Sequence, residues 1–148
     1  MTYGELKALV NALLIGDSVF TKKPEEQLVL LKYAYQRIAN EADAMKLFTV
    51  NKDEEKIIRN GPGRLFVRMP ELPEKDIDEL DIDEELCYAA ARFMASFVSQ
   101  ARPELHENEA RKIINLYNQK VQTFLETLAT TGELDVYDDE DMFGRRSI

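Results

Sequence analysis

The densest group of potentially reactive side chains is a run of carboxylates that precedes an apolar helical pattern. Carboxylate oxygens are ligands for Ca²⁺, so an EF-hand has to be considered. A loop starting at Asp76 would place Asp81 where glycine is required and Cys87 where a bidentate glutamate is required. A calcium site is therefore not predicted. The run is either a solvated helix start or an acidic surface that faces a partner or a channel; it comprises Asp76, Asp78, Glu79, Asp81, Asp83, Glu84 and Glu85.

The single histidine and the single cysteine are the other candidates for chemistry. His106 lies in a polar stretch near an expected helix start, so we expect it to be exposed. No serine or cysteine accompanies it at the spacing of a catalytic triad. Cys87 is close to several carboxylates, which raise the pKa of a thiol and lower its reactivity. Two such residues cannot form a protein-only zinc site, and we predict no enzyme activity, no metal and no cofactor.

Positive charge gathers around one glycine-containing loop, 60–63, in this otherwise acidic chain. The loop lacks the Gly-Lys-Ser/Thr ending of a phosphate-binding loop, and turn formation accounts for its composition. Arg59, Arg64 and Arg68 flank it. They are interpreted either as solvated strand residues or as a contact with an acidic neighbour.

The elements that position these residues are mostly helical. Thr2 and Glu5 fit a capping box that opens a first helix, which Gly16 ends. Pro24 suits the first turn of a second helix, whose apolar stripe continues to about Met45. Such stripes are typical of helix packing within one domain, although coiled coils between chains show the same pattern.

Two further helices follow the acidic run. Asp81 and Glu84 fit a capping pattern for the third, which buries an alanine-rich face with aromatic residues and should end before Pro103. The fourth is expected to begin at about 104–107, to be the longest, and to end at Gly132.

The segment at about 46–70 has shorter, β-prone runs separated by turn residues, which predicts a β-hairpin or a three-stranded meander. The predicted fold is therefore mainly α: a bundle of about four helices with a small β insertion and an extended C-terminal tail. Residues 1–132 form the helical domain. Residues 133–148 form a polar tail that cannot bury enough apolar surface to fold alone.

Composition narrows the choice of partners. The chain has 148 residues, 28 acidic against 19 basic, and a net charge of -9. Tight nucleic-acid binding depends on Lys and Arg, so this balance argues against it. An acidic wall repels the phosphate backbone, which is what a channel for passing DNA requires. No apolar run approaches the length of a membrane span, and 1–10 lacks the order of a signal peptide, so a cytoplasmic protein is expected.

In this layout the chain resembles the head-to-tail connector (adaptor) proteins of tailed bacteriophages. The resemblance rests on a short first helix, a second helix, a β insertion, and then IDEELCYAAARFMASFVSQ and NEARKIINLYNQKVQTFLETL. Residues 83–128 carry most of it. The acidic connector at 71–85 and the weakly aromatic N-terminal half depart from the family pattern.

The resemblance implies a virion protein of the head–tail neck, assembled in the host cytoplasm. About twelve copies would form a ring beneath the portal protein, with a tail-side neck protein below and double-stranded DNA passing through. Neighbours would pack through the third and fourth helices, with Asp76, Asp78, Glu79 and Asp81 facing the channel. In similar proteins the C-terminal tail grips the portal; this role maps onto 138–148, with Met142, Phe143, Arg145 and Arg146 as docking residues.

A second interpretation belongs to another class of protein. The chain would be a small acidic helical regulator that imitates DNA and binds a basic partner protein. An adaptor joins a high-order ring, whereas a DNA mimic forms a one-to-one, salt-sensitive complex. An enzyme with carboxylate chemistry is a third and weaker interpretation, because no acid–base pair stands out among so many carboxylates.

Overall fold

Helices dominate the architecture. The computed structural model describes residues 1–51, 53 and 56–131. Within them lie four α-helices and a three-residue 3₁₀ turn, Met45–Leu47, which confirms the predicted mainly α fold of about four helices with a small β insertion. The helices are α1 Tyr3–Leu13, α2 Pro24–Glu41, α3 Glu84–Val98 and α4 Pro103–Thr131.

The capping box of α1 forms as predicted. The Thr2 hydroxyl accepts a hydrogen bond from the Glu5 amide at 3.2 Å, and the Glu5 carboxylate accepts one from the Thr2 amide at 2.9 Å. The next amides of the helix are bound by a distant segment, because Tyr3 N–H donates to the Asp78 carbonyl and Gly4 N–H to the Asp76 carbonyl, both at 2.9 Å. These bonds satisfy N–H groups that a helix start leaves without partners.

The second helix ends at Glu41, four residues before the predicted Met45. Arg59 accounts for the difference. Its guanidinium donates to the carbonyl of Ala39 at 2.8 Å and to that of Ala42 at 2.6 Å. Carbonyls at a helix end need partners outside the helix; Arg59 supplies two of them, and the Asn118 side-chain amide donates to the Glu41 carbonyl at 2.9 Å.

The predicted start of α3 is wrong by two residues. The N-cap is Asp83, and the Asp81 carboxylate is instead paired with Arg68 at 2.6 Å. The Asp83 carboxylate does not cap the helix either. It accepts hydrogen bonds from the Lys46 amide at 3.1 Å and from the Tyr117 hydroxyl at 2.6 Å, which ties the start of α3 to α4.

The β insertion contains strands β1 Phe48–Thr49, β2 Ile57–Asn60 and β3 Phe66–Arg68. The hairpin between β2 and β3 is confirmed, but a meander is not, because β3 lies between β1 and β2 in an antiparallel sheet. Val67 pairs with β1 on one side and β2 on the other, and it is the fully buried residue of the strand. The central position lets β3 bond along both edges while its one buried side chain packs into the core.

The third helix is the centre of the core. It packs against α1, α2 and α4, and its small residues allow these neighbours to approach closely. Phe97 and Val98 are only half-buried at its end. The fully buried residues of α3 are Leu86, Cys87, Ala89, Ala90, Ala91, Phe93, Met94 and Ala95.

Candidate assembly surfaces

Two of the acidic residues predicted to face a channel extend into solvent. Asp76 pairs with Lys7 at 2.7 Å, and its side chain is 68% exposed. Glu79 binds the Met1 ammonium at 3.0 Å, and its side chain is 70% exposed. Surface ion pairs of this kind contribute little to stability. Each carboxylate therefore has a cation beside it, while most of its side chain stays in contact with solvent.

The other two residues of this set, Asp78 and Asp81, form bonds that hold the acidic connector at 71–85 together. The Asp78 carboxylate accepts hydrogen bonds from the amides of Glu74 and Lys75 at 2.9 and 2.8 Å, which lower its pKa. Burial raises the pKa of Asp81, but its bonds to Arg68 and to the Glu71 amide outweigh burial and lower it. Only Asp76 and Glu79 of the predicted set present carboxylates mainly to solvent. Among the described residues, no group of three or more potential ligands could hold a metal ion.

The three arginines predicted to form a hairpin contact differ in their surroundings. Arg59 binds the end of α2 and is within 3.2 Å of the Asp43 carboxylate. Arg68 binds Asp81 and the Lys46 carbonyl at 2.9 Å. Arg64 is exposed at the hairpin loop. Arg59 and Arg68 therefore support the fold of this chain, so an external contact would have to compete with these bonds.

Between α2 and the end of α3 lies a groove of about 290 Å³, here called the aromatic groove, lined by Tyr33, Gln36, Arg37, Asn40 and Phe97. The rings of Tyr33 and Phe97 meet edge to face, with their centroids 6.5 Å apart, and Tyr33 is 53% exposed. The Arg37 guanidinium lies 5.8 Å from the Phe97 ring centroid and donates to Glu107 at 3.0 Å. Aromatic residues and arginine are the types most enriched at binding hot spots.

A second surface, here called the α3–α4 outer face, carries three exposed large hydrophobic side chains, Tyr88, Leu116 and Phe124. Their exposed fractions are 48%, 68% and 45%. Lys120 on α4 pairs with Glu85 on α3. Tyr88 lies three residues after Glu85, and Leu116 and Phe124 lie four residues on either side of Lys120. Residues at these spacings share a helix side, so all three lie along the seam between the two helices.

The expectation that His106 is exposed is wrong: it is only 2% exposed. The histidine lies four residues before buried Ala110, so the buried stripe of α4 begins one turn earlier than predicted. Its Nδ1 lies 3.1 Å from an Arg92 guanidinium nitrogen, and its Nε2 has no partner among the described residues. Burial lowers the pKa of His106, and Arg92 and Arg102 lower it further, against an opposing effect of Asp17.

This lowered pKa predicts a loss of stability on acidification. The unfolded chain binds the proton at a higher pH than the folded chain does, so stability is fully present above about pH 6.5 and falls as the pH drops through the folded pKa. For one proton the slope is at most about 1.4 kcal/mol per pH unit. We expect His106→Gln to flatten urea-unfolding stability between about pH 7 and 5.5. Equal slopes for both proteins would contradict this.

The thiol of Cys87 is buried, and burial raises its pKa to about 12. The direction agrees with the low reactivity predicted from the sequence. The main cause is burial, with nearby Glu84 and Glu79 adding to it. No helix in the described ranges is long and apolar enough to cross a membrane.

The predicted portal-docking residues Met142, Phe143, Arg145 and Arg146 lie outside the described residues, as does the predicted helix end at Gly132. Sequence reasoning missed the aromatic groove. Val29 and Tyr33 lie one turn apart and off the buried stripe of α2, and this apolar pair was the available signal. No protein-family model matches this chain, and neither the curated proteins nor the solved structures yield a match.

Proposed function

We propose that this protein is a structural head-to-tail adaptor of a tailed bacteriophage, without enzymatic activity. It forms a ring under the portal protein and extends the DNA channel towards the tail. The observation that carries the proposal is the presence of two separate surfaces with exposed aromatic or aliphatic side chains, the aromatic groove on α2 and α3 and the α3–α4 outer face. Aromatic side chains and arginine grouped at a surface are typical of sites of contact with other proteins.

Two unlike surfaces fit a head-to-tail contact between copies better than a two-fold dimer. In a two-fold dimer the same patch serves both partners, whereas a ring uses one patch on one copy and a different patch on the next. The order of elements, with a β insertion between α2 and α3, agrees with the layout on which the adaptor resemblance rests. The resemblance also supplies the expected number of about twelve copies.

The charge of the chain suits a channel through which DNA moves. A net charge of -9 in 148 residues repels the phosphate backbone. Asp76 and Glu79, whose side chains are mostly exposed, are the residues we assign to this repulsion. In this role DNA passes without specific binding, and the function does not require a groove that reads bases.

The direct test combines the purified chain with the portal protein of the same virus and views the product by negative-stain electron microscopy. A ring of added density below the portal is the expected result. A tail-side neck protein should then bind the portal–adaptor complex and not the portal alone. Portal particles that gain no density at saturating concentrations of the chain would contradict the proposal.

The C-terminal docking residues make a separate prediction. A chain ending at Tyr137 lacks Met142, Phe143, Arg145 and Arg146, so we expect its affinity for the portal to fall by about tenfold or more. The matched control ends at Arg146 and should bind as the full chain does. Surface plasmon resonance measures the affinity of each chain for the portal. An unchanged affinity after truncation at Tyr137 would contradict the docking role of these residues.

The second candidate is a DNA-mimicking regulator, which the net charge of -9 favours. Counting against it, Asp78 and Asp81 are bound within the connector and are not displayed as a row of phosphate-like charges. In the reconstitution this candidate predicts no ring. It predicts instead a one-to-one complex with a basic nucleic-acid-binding protein that dissociates as salt is raised.

A further inference from the structure

We propose that the aromatic groove binds residues 138–143, Asp-Asp-Glu-Asp-Met-Phe, of a second copy of this chain. Phe143 would pack against Tyr33 and Phe97, and the Asp141 carboxylate would bind Arg37. The proposal rests on the ring proposal and deepens it, since it names the segment of a neighbouring copy that occupies the aromatic groove. It assigns Phe143 to that groove, so in the assembled ring portal docking falls to Met142, Arg145 and Arg146. The groove contact itself needs neither portal nor DNA.

The groove combines two aromatic rings with an incompletely used cation. A guanidinium carries five N–H donors, and that of Arg37 gives one to Glu107. No other hydrogen-bond acceptor for Arg37 is found among the described residues, and its side chain is 39% exposed. A carboxylate can therefore reach it, and charge-assisted bonds of this kind are among the stronger ones. Gln36 and Asn40 are exposed beside it and offer amides to the backbone of an extended segment.

The two groove partners lie close enough together for side chains on one side of an extended segment to reach both. In an extended chain, residues two apart point to the same side and lie about 6–7 Å apart. Asp141 and Phe143 are related in this way, with Met142 on the opposite side. In the groove the Arg37 guanidinium and the Phe97 ring centroid are 5.8 Å apart. One extended segment can thus place its carboxylate and its ring on both partners at once.

Distance argues for a second copy as the source of the segment. The groove lies beside the start of α4, where Arg37 contacts Glu107. From Glu107 to Thr131 the helix advances about 36 Å, at about 1.5 Å per residue. Phe143 is twelve residues further on, and a fully extended chain of that length spans at most about 43 Å. Within one copy the segment would have to be almost fully stretched, whereas between copies no such stretching is needed.

A mixing experiment tests the contact. Phe143→Ser removes the anchor and leaves the groove intact, while Tyr33→Ser alters the groove at an exposed side chain and leaves the anchor intact. We expect the unaltered chain to self-associate in sedimentation velocity. The self-association constant of each variant should be lower by about tenfold or more. Mixing the two variants should restore one groove–anchor contact and produce a one-to-one complex. Circular dichroism checks that both variants remain helical.

The charge contact has a matched control within the same segment. Asp141→Asn should weaken self-association, because it removes the carboxylate that faces Arg37. Glu140→Gln removes one charge from the opposite side of an extended segment and should have a clearly smaller effect.

The proposal would be overturned if neither Phe143→Ser nor Tyr33→Ser changed the self-association of the chain. A mixture of the two variants that stays monomeric, or an unaltered chain that is monomeric at every concentration measured, would overturn it as well. A missing ring in the portal reconstitution, with complementation still observed here, would refute only the adaptor role.

Discussion

Replacing Phe93 by alanine should lower the free energy of unfolding by about 3–5 kcal/mol. The ring is fully buried in the middle of α3, the helix against which α1, α2 and α4 pack. Its removal costs the transfer of the side chain from water and leaves a cavity that rigid neighbours cannot fill. The guanidinium groups of Arg37 and Arg111, 5.7 and 6.0 Å from the ring centroid, also lose a cation–π contact.

Urea denaturation followed by circular dichroism measures this loss. Phe124→Ala is the matched control, because it removes the same side chain from a position on α4 that is 45% exposed. We expect the control to lose about 1 kcal/mol or less, since that ring stays partly hydrated in the folded chain. Equal losses at the two positions would mean that Phe93 does not hold the core in the way described.

Replacing Arg59 by methionine should cost about 2–3 kcal/mol, the second largest effect that we expect. Methionine retains an apolar stem of similar length but cannot donate hydrogen bonds. The carbonyls of Ala39 and Ala42, both in fully buried residues, would then lose their bonds to the guanidinium. Buried acceptors left without donors carry the cost of desolvation without a compensating bond.

Hydrogen exchange locates this effect. We expect amides in the last turn of α2 to exchange faster in the Arg59→Met protein by more than the global loss of stability explains. Lys22→Met is the control, because it removes a positive charge from an exposed position before α2 and should change stability by about 0.5 kcal/mol or less. Unchanged protection at the end of α2 would show that Arg59 does not stabilise this end.

Much of the fold could be predicted because local signals specified it. Thr2 and Glu5 form the capping box that their spacing indicates, and Pro24 opens α2 at its first turn. The alanine-rich pattern of α3 predicts a helix that neighbours can approach closely, and its alanines are buried. These features depend on residues within one or two turns of one another, where the physical rules act without knowledge of the rest of the chain.

The features that were predicted wrongly share a different cause: contacts with residues distant in the sequence determine them. Arg59 ends α2 from a strand that is eighteen residues further along, and Arg68 takes Asp81 away from the cap of α3. The place of β3 between its neighbours depends on how the insertion packs against the helices. His106 is buried where α4 packs against α3, beside Arg92, although most residues near it in the sequence are polar.

The candidate surfaces were harder to predict than the fold. Charged residues in a sequence read as solvated, and the sequence does not reveal that Asp78 and Asp81 are bound within the connector. The aromatic groove requires Tyr33 and Phe97, more than sixty positions apart, to meet across two helices. Their contact follows from the tertiary packing of α2 against α3. The apolar pattern within each helix does not predict how the two helices pack.

The bonds between the start of α1 and the connector also constrain the order of folding. The carbonyls of Asp76 and Asp78 accept from Gly4 and Tyr3, so the first turn of the first helix is completed by residues synthesised more than seventy positions later. Closing a loop of that length carries an entropic cost that local helix formation does not. During synthesis, the first turn of α1 therefore lacks these two hydrogen bonds until the connector has been made. The first turn of α1 thus gains its full set of hydrogen bonds only together with the connector, which couples the folding of the two segments.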